Sequence, residues 1–286
     1  MAVTEAGIPR IAKESAAIYR KWQPLIERYH GGVPEALIAV RMDIETGGRM
    51  TTKTGGGSLL EVGLLSVTKA QETRFGVPDC TRCNAEGNVF LAATRYNVDT
   101  ALFLKRYPGV AKSLDDAYIF GASLISGIGS GAADYLLDRA PRGITYKQFA
   151  DWVQMMSLAG RLPTKGPWGS QTLATIVYRV RAFEHMREAA ELMQRTYGIS
   201  NEASTPVVPP RPSWLKSFEL PRDAAGALQM LTGGERPFQA RPQDLAMFMP
   251  RGQRGARGWV PVVAGIAAGA VVGGAALLAA KRWALS

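Results

Sequence analysis

The stretch 34–48, PEALIAVRMDIETGG, decides how the chain is read. Proline suits the first turn of a helix, where its missing N–H is no loss, so Pro34 opens a helix over 34–46. Gly47 and Gly48 then let the chain turn away. Ile38, Met42 and Glu45 recur at i, i+4 and i+7, and Leu37, Val40 and Ile44 widen the same apolar stripe. Glu45 therefore stands on or beside the face that meets the core. A carboxyl held there resists ionising, which suits a general acid at neutral pH. The bland alternative, on this helix alone, is a last-turn glutamate satisfied by Arg41 or Arg49.

Outward from this helix the pattern stays helical. Residues 10–29 put Ile11, Ala16, Ile18, Trp22 and Ile26 roughly on one side and end at His30-Gly31-Gly32. TTKTGGGS (51–58) reads as a flexible loop, and further helices are expected near 88–106, 114–126, 130–138, 146–158 and 170–196. No stretch sustains a period of two, so the body is expected to be mainly α. After Gly198 the composition changes. STPVVPPRPSW reads as an extended proline-rich linker, and 221–258, rich in Gly, Pro, Arg and Gln, as a poorly packed spacer. The expected organisation is an N-terminal helix (1–32), a helical domain (33–198), a flexible linker (199–258) and a membrane helix (259–283).

The chain has 286 residues, enough for a sizeable core, and its 34 Lys and Arg against 24 Asp and Glu leave a formal charge of +10. That balance favours a polyanionic partner: nucleic acid, acidic lipid or an anionic cell-wall polymer. No basic stripe is interleaved with aromatics, which argues against specific nucleic-acid recognition. The start, MAVTEAGIPRIAKESAAIYRKW, carries Glu5, Lys13 and Glu14 and lacks the continuous apolar run of a secretory signal.

The end differs. From Val260 to Ala280 there is no charge, Trp259 and Trp283 stand at the edges, and Lys281-Arg282 close the run. At about 1.5 Å per residue such a helix spans the hydrocarbon layer. Gly265, Gly269 and Gly273 give it one smooth face for self-association. A buried Ala/Gly-rich helix in a soluble assembly is the alternative. Cys80 and Cys83, in CTRC, are the only cysteines. His30 and His185 belong to other elements, so no metal site is expected; a local disulfide or two free thiols remain open.

Several motifs follow the glutamate in order: Glu45-Thr46-Gly47-Gly48, then Gly63-Leu64-Leu65-Ser66 before a helix with TKAQETRFG, then Asn88 with LAATRYNVDTALFLKRY, SGIGSGAADYLL and PWGSQTLATIVYRV. Over roughly 33–196 this order resembles the soluble lytic transglycosylase-like branch of the goose-lysozyme superfamily, which implies a lysozyme-like helical domain. The family carries Glu-Ser-Gly-Gly, Gly-Leu-Met-Gln, Ala-Tyr-Asn-Ala-Gly and Glu-Thr-x-x-Tyr-Val motifs. Here Thr46 replaces the serine and keeps its hydroxyl. Ser66 stands where glutamine is expected, Ser126-Gly127 where tyrosine and asparagine are, and Ala174 where glutamate is. Thr175 and Tyr178 fit the last motif.

The resemblance implies cleavage of peptidoglycan strands between N-acetylmuramic acid and N-acetylglucosamine, with no cofactor. Glu45 would protonate the glycosidic oxygen; as a base it would then deprotonate the muramic 6-hydroxyl, which closes a 1,6-anhydro ring. Hydrolysis by inversion would want a second carboxylate to hold water, and Glu61 is either that group or a solvated loop charge. Thr46, Gly63, Leu65, Ser66 and Ser126 would line the substrate site. Tyr178 either orients the acid or is a core tyrosine with its hydroxyl at the rim. Arginines at 251, 254 and 257 outnumber the two cations after the apolar run, an arrangement that keeps the domain on the inner side of a membrane. An enzyme made inside and needed outside suits a phage virion that carries it, anchored in a bilayer or against other virion proteins through its glycine-rich tail. The rival reading is a non-enzymatic virion, membrane or ejection protein on a degenerate lysozyme-like fold.

Overall fold

A computed structural model describes residues 4–50 and 61–232, and what it describes is mainly helical. A short 3₁₀ turn, Glu5–Gly7, leads into α1 (Ile8–Tyr29), which packs against α2 (Glu35–Thr46). The end of α2 is the one its sequence announced. Gly47 and Gly48 take left-handed φ values of 63° and 67°, and their N–H groups return to the Asp43 and Met42 carbonyls. Every residue from Ala36 to Asp43 is buried, so α2 is enclosed on all sides rather than on one stripe.

A two-residue hairpin follows, β1 (Glu61–Val62) antiparallel to β2 (Val67–Thr68), with Gly63-Leu64-Leu65-Ser66 as its turn. Thr68 and Gln71 cap each other reciprocally at the start of α3 (Lys69–Arg74). Cys80 and Cys83 are joined in a disulfide, one of the two states left open by the sequence. Directly after it Asn84 caps α4 (Ala85–Arg106), accepting from the Gly87 N–H at 2.7 Å.

The α4 helix is central. Residues 87–94 are buried without a break, the mark of a helix packed on every face. Around it lie α5 (Leu114–Tyr118), a π-helical stretch (Ile119–Ile125) that continues from it, and the short α6 (Ser126–Ile128). Beyond these come α7 (Ser130–Leu137), α8 (Tyr146–Leu158) and the long α9 (Leu173–Tyr197), which packs on α1, α2 and α8 and ends at left-handed Gly198.

Two expected boundaries are corrected. The helix of 1–32 is no separate appendage, because Ile11, Ala12, Ala16, Ile26 and Tyr29 of α1 are part of the core. Nor does the domain stop at 198. Residues 199–221 run over the body as a strap, and α10 (Arg222–Thr232) lies against α4. The strap is held by specific bonds. The Ala36 N–H donates to Ser200 O at 2.9 Å, the Ser204 N–H to Gly32 O at 3.0 Å, and the Glu219 N–H to Phe75 O at 2.8 Å. Asn97, wholly buried, donates to His30 O and accepts from the Gly32 N–H, the Tyr118 hydroxyl and the Val207 N–H. One amide thus ties the α1–α2 turn, α5 and the strap together. Phe218 closes the seam, 5.2 Å from the Phe90 ring and 6.1 Å from Phe75. Prolines set the path of the strap; they do not make it a spacer.

Contacts divide the chain into residues 1–239, which include every described residue, and residues 240–286. Among the described residues no helix is long and apolar enough to cross a membrane. The apolar run 260–280, its three spaced glycines and the loop 51–58 lie outside the described residues.

Candidate active site

Glu45 lines a cavity of about 270 Å³ walled by α2, the 61–66 hairpin, α4 with the π-helical stretch and α6 beside it, and α9. Glu45, Glu61, Leu65, Ser66 and Ser126 all line it, together with Arg41, Arg95, Ser123, Gly127 and Phe183. A second cavity of about 420 Å³ shares Arg95 and Ser126 with the first and extends past Asp99 and Arg106 to Asp134.

The hairpin wall is held from below. Gly63 has φ 88°, and a Cβ there would sit 2.1 Å from the Asn88 amide nitrogen. Asn88 is fully buried; it donates to Val62 O at 2.8 Å and Arg82 O at 3.1 Å and accepts from the Leu65 N–H at 2.9 Å. Gly63 is therefore a support of the turn rather than a wall of the cavity. Thr46 is likewise a brace: its hydroxyl lies 2.9 Å from Leu64 O and 3.0 Å from Met42 O, pinning the end of α2 to the turn.

Tyr178 falls outside the cavity. It is about half exposed on α9, five residues from the Phe183 that does line the cavity, and five residues turn a helix by roughly 140°. Neither role expected of it, orienting the acid or filling the core, fits that position. Ser126 lines the cavity, but its hydroxyl donates to Ala122 O at 2.9 Å, back into its own turn. Gly127 makes room for an aromatic ring, since a Cβ there would meet Phe183 Cζ at 2.1 Å.

The electrostatics centre on Arg41, which the sequence offers only as one of two arginines near Glu45. The Arg41 Nη2 donates to Glu45 Oε1 at 2.7 Å, and its Nη1 to Ser123 Oγ at 3.0 Å. Its guanidinium carbon lies 4.8 Å from the centre of the Tyr96 ring. Burial works against charge on Arg41, but Tyr96 and Glu45 outweigh it and hold its pKa above the ordinary arginine value. Burial likewise pushes the Tyr96 hydroxyl up to about 12. Glu45 Oε2, also buried, has no hydrogen-bond partner among the described residues. At Arg95 the Nε donates to Asp99 at 3.2 Å, so it joins the floors of the two cavities.

The i, i+4 spacing of Arg41 and Glu45 was in view from the start; Tyr96 and Ser123, which complete the arginine's surroundings, come from other elements and left no local signal. Phe183 was findable, one turn beyond the buried Val180 on α9. Among the described residues no group of His, Cys, Asp and Glu is placed to hold a metal ion. No protein-family model matches the chain, and no curated protein or solved structure is significantly similar to it.

Proposed function

We propose that this protein cleaves peptidoglycan glycan strands as a lytic transglycosylase on a lysozyme-like domain, with Glu45 as its single acid and base. The observation that carries the reading is convergence. Motifs separated by some eighty residues in sequence, at Glu45, Ser66 and Ser126, meet at one cavity, and the glutamate there keeps a buried oxygen with no partner among the described residues. Buried carboxyl oxygens are normally bonded, and a carboxyl that must take and give a proton during a reaction is one reason for an exception. Glu45 would give its proton to the leaving glycosidic oxygen, then take the 6-hydroxyl proton as that oxygen attacks the anomeric carbon. The acid is regenerated and no water is consumed. Phe183 offers an apolar face for a sugar ring, and the adjoining 420 Å³ cavity offers length for a strand rather than a single sugar.

Two other readings have observations in their favour. Glu61 on the same wall supports hydrolysis, in which a second carboxylate holds water. The inward-turned Ser126 hydroxyl favours a non-enzymatic virion or ejection protein that keeps the fold. The uncharged run 260–280, with arginines at 251, 254 and 257 before it, supports carriage in a phage virion with the tail seated in a bilayer.

Mass spectrometry of digested sacculi separates the three. The expected product is a 1,6-anhydro-muropeptide, lighter by one water than the hydrolytic product. Glu45→Gln is expected to keep its melting temperature and lose at least two to four orders of magnitude in rate, about the worth of general acid–base catalysis. Reducing-end products would establish hydrolysis. No release by the wild-type protein would leave the non-enzymatic reading.

A further inference from the structure

Arg41 and Glu45 are spaced like an ordinary helix-stabilising pair, but the arginine is held in a way such a pair does not require. The Arg10–Glu14 pair on α1 has the same spacing and stands at the surface, about half exposed on both sides. Arg41 is nine-tenths buried and is fixed from three elements: Glu45 on its own helix, Ser123 on the π-helical stretch and the Tyr96 ring on α4. A planar guanidinium bonded at both Nη atoms and covered on one face is held in one orientation, although its buried Nε has no partner among the described residues. Its grip falls on Oε1 of Glu45, while Oε2, also buried, has no partner among the described residues.

We propose that Arg41 is a positioning residue for Glu45. It immobilises Oε1 and so fixes the plane of the carboxyl that exchanges the proton with substrate. The inference rests on the acid–base reading of Glu45 and adds what aims its carboxyl. Ser123 and Tyr96 belong to the same device, because they keep the guanidinium from following the carboxyl when it moves. Arg95 lines the same cavity but is engaged by Asp99, so it does not substitute for Arg41.

The test uses the full chain and the release of muropeptides from sacculi, with kcat and KM measured separately. Arg41→Lys keeps the charge and most of the volume but loses the fork, and Arg41→Ala opens a space the size of a guanidinium at the cavity wall. The expected result is a kcat lower by about 100-fold in both variants, the scale of a misaimed catalytic group, with KM changed little. Free guanidinium, below denaturing concentration, is expected to restore part of the Arg41→Ala rate and none of the Glu45→Gln rate. Suppose the wild type is active, Glu45→Gln is inactive, and folded Arg41→Lys works at the wild-type rate. Then Arg41 positions nothing, although Glu45 remains the acid. A loss confined to KM and to melting temperature, without guanidinium rescue, assigns Arg41 to stability and also overturns the proposal. An inactive wild type removes the acid–base reading, and the proposal with it.

Discussion

One methyl group at Gly63 would break the turn that walls the cavity. Its φ of 88° is costly for any residue with a side chain, and a Cβ would fall 2.1 Å from an Asn88 nitrogen already committed to two carbonyls. Gly63→Ala is thus expected to destabilise the protein by about 1–3 kcal/mol and to displace Leu65 and Ser66, so that melting temperature and muropeptide release fall together. Unchanged melting would show that the turn does not depend on this contact. The glycine itself was legible as part of a motif. The reason for it was not, because Asn88 reaches it from the centre of another helix. Arg41 shows the converse: its spacing to Glu45 lay open in the sequence, and only burial among Ser123 and Tyr96 distinguishes it from a surface pair.

Among elements, α10 was the hardest to read. The Arg222–Thr232 helix buries Ala224, Ala227, Leu228 and Leu231, a spacing of three, four and seven that marks one helix face. Half of that face is alanine, so composition made the segment look unpacked. Alanine serves here because it allows close approach to α4, itself buried on every side. The expectation follows that Ala227→Leu, an enlargement at a fully buried contact, lowers stability by about 1–3 kcal/mol. It should leave muropeptide release unchanged, since α10 contributes nothing to the cavity walls. Thermal melting and kcat measured on one preparation check both halves, and an increase in melting temperature would show a void where close packing is described. Elements with strong local signals were read well by comparison. α2 begins after Pro34 and turns at Gly47, and α9 ends at Gly198, as their prolines and glycines announced.

For the whole molecule the deciding matter is where the folding unit ends. The change of composition at Gly198 suggested a boundary, but proline richness speaks only of backbone conformation and not of what the chain lies upon. The strap supplies the last partners of buried groups. Val207 donates to Asn97, Ala203 to Asp115 at 2.8 Å, and the Trp214 indole to Glu86 at 2.5 Å. It also buries Leu215, and α10 after it buries Leu228 and Leu231, each worth about 1.5–3 kcal/mol. Their sum is of the same order as the whole net stability of a typical domain, about 5–15 kcal/mol. A chain cut at 198 would expose Phe75 and Phe90, which Phe218 covers, and would leave Asn97 short of a donor. Residues 1–239 are therefore expected to melt in one cooperative transition and to release muropeptides, and residues 1–198 to show no cooperative transition. Limited proteolysis of the full chain is expected to yield a stable fragment ending between about 232 and 239. If residues 1–198 melt as sharply and at the same temperature as 1–239, the strap is dispensable. The folding unit would then end at Gly198, where the composition first suggested.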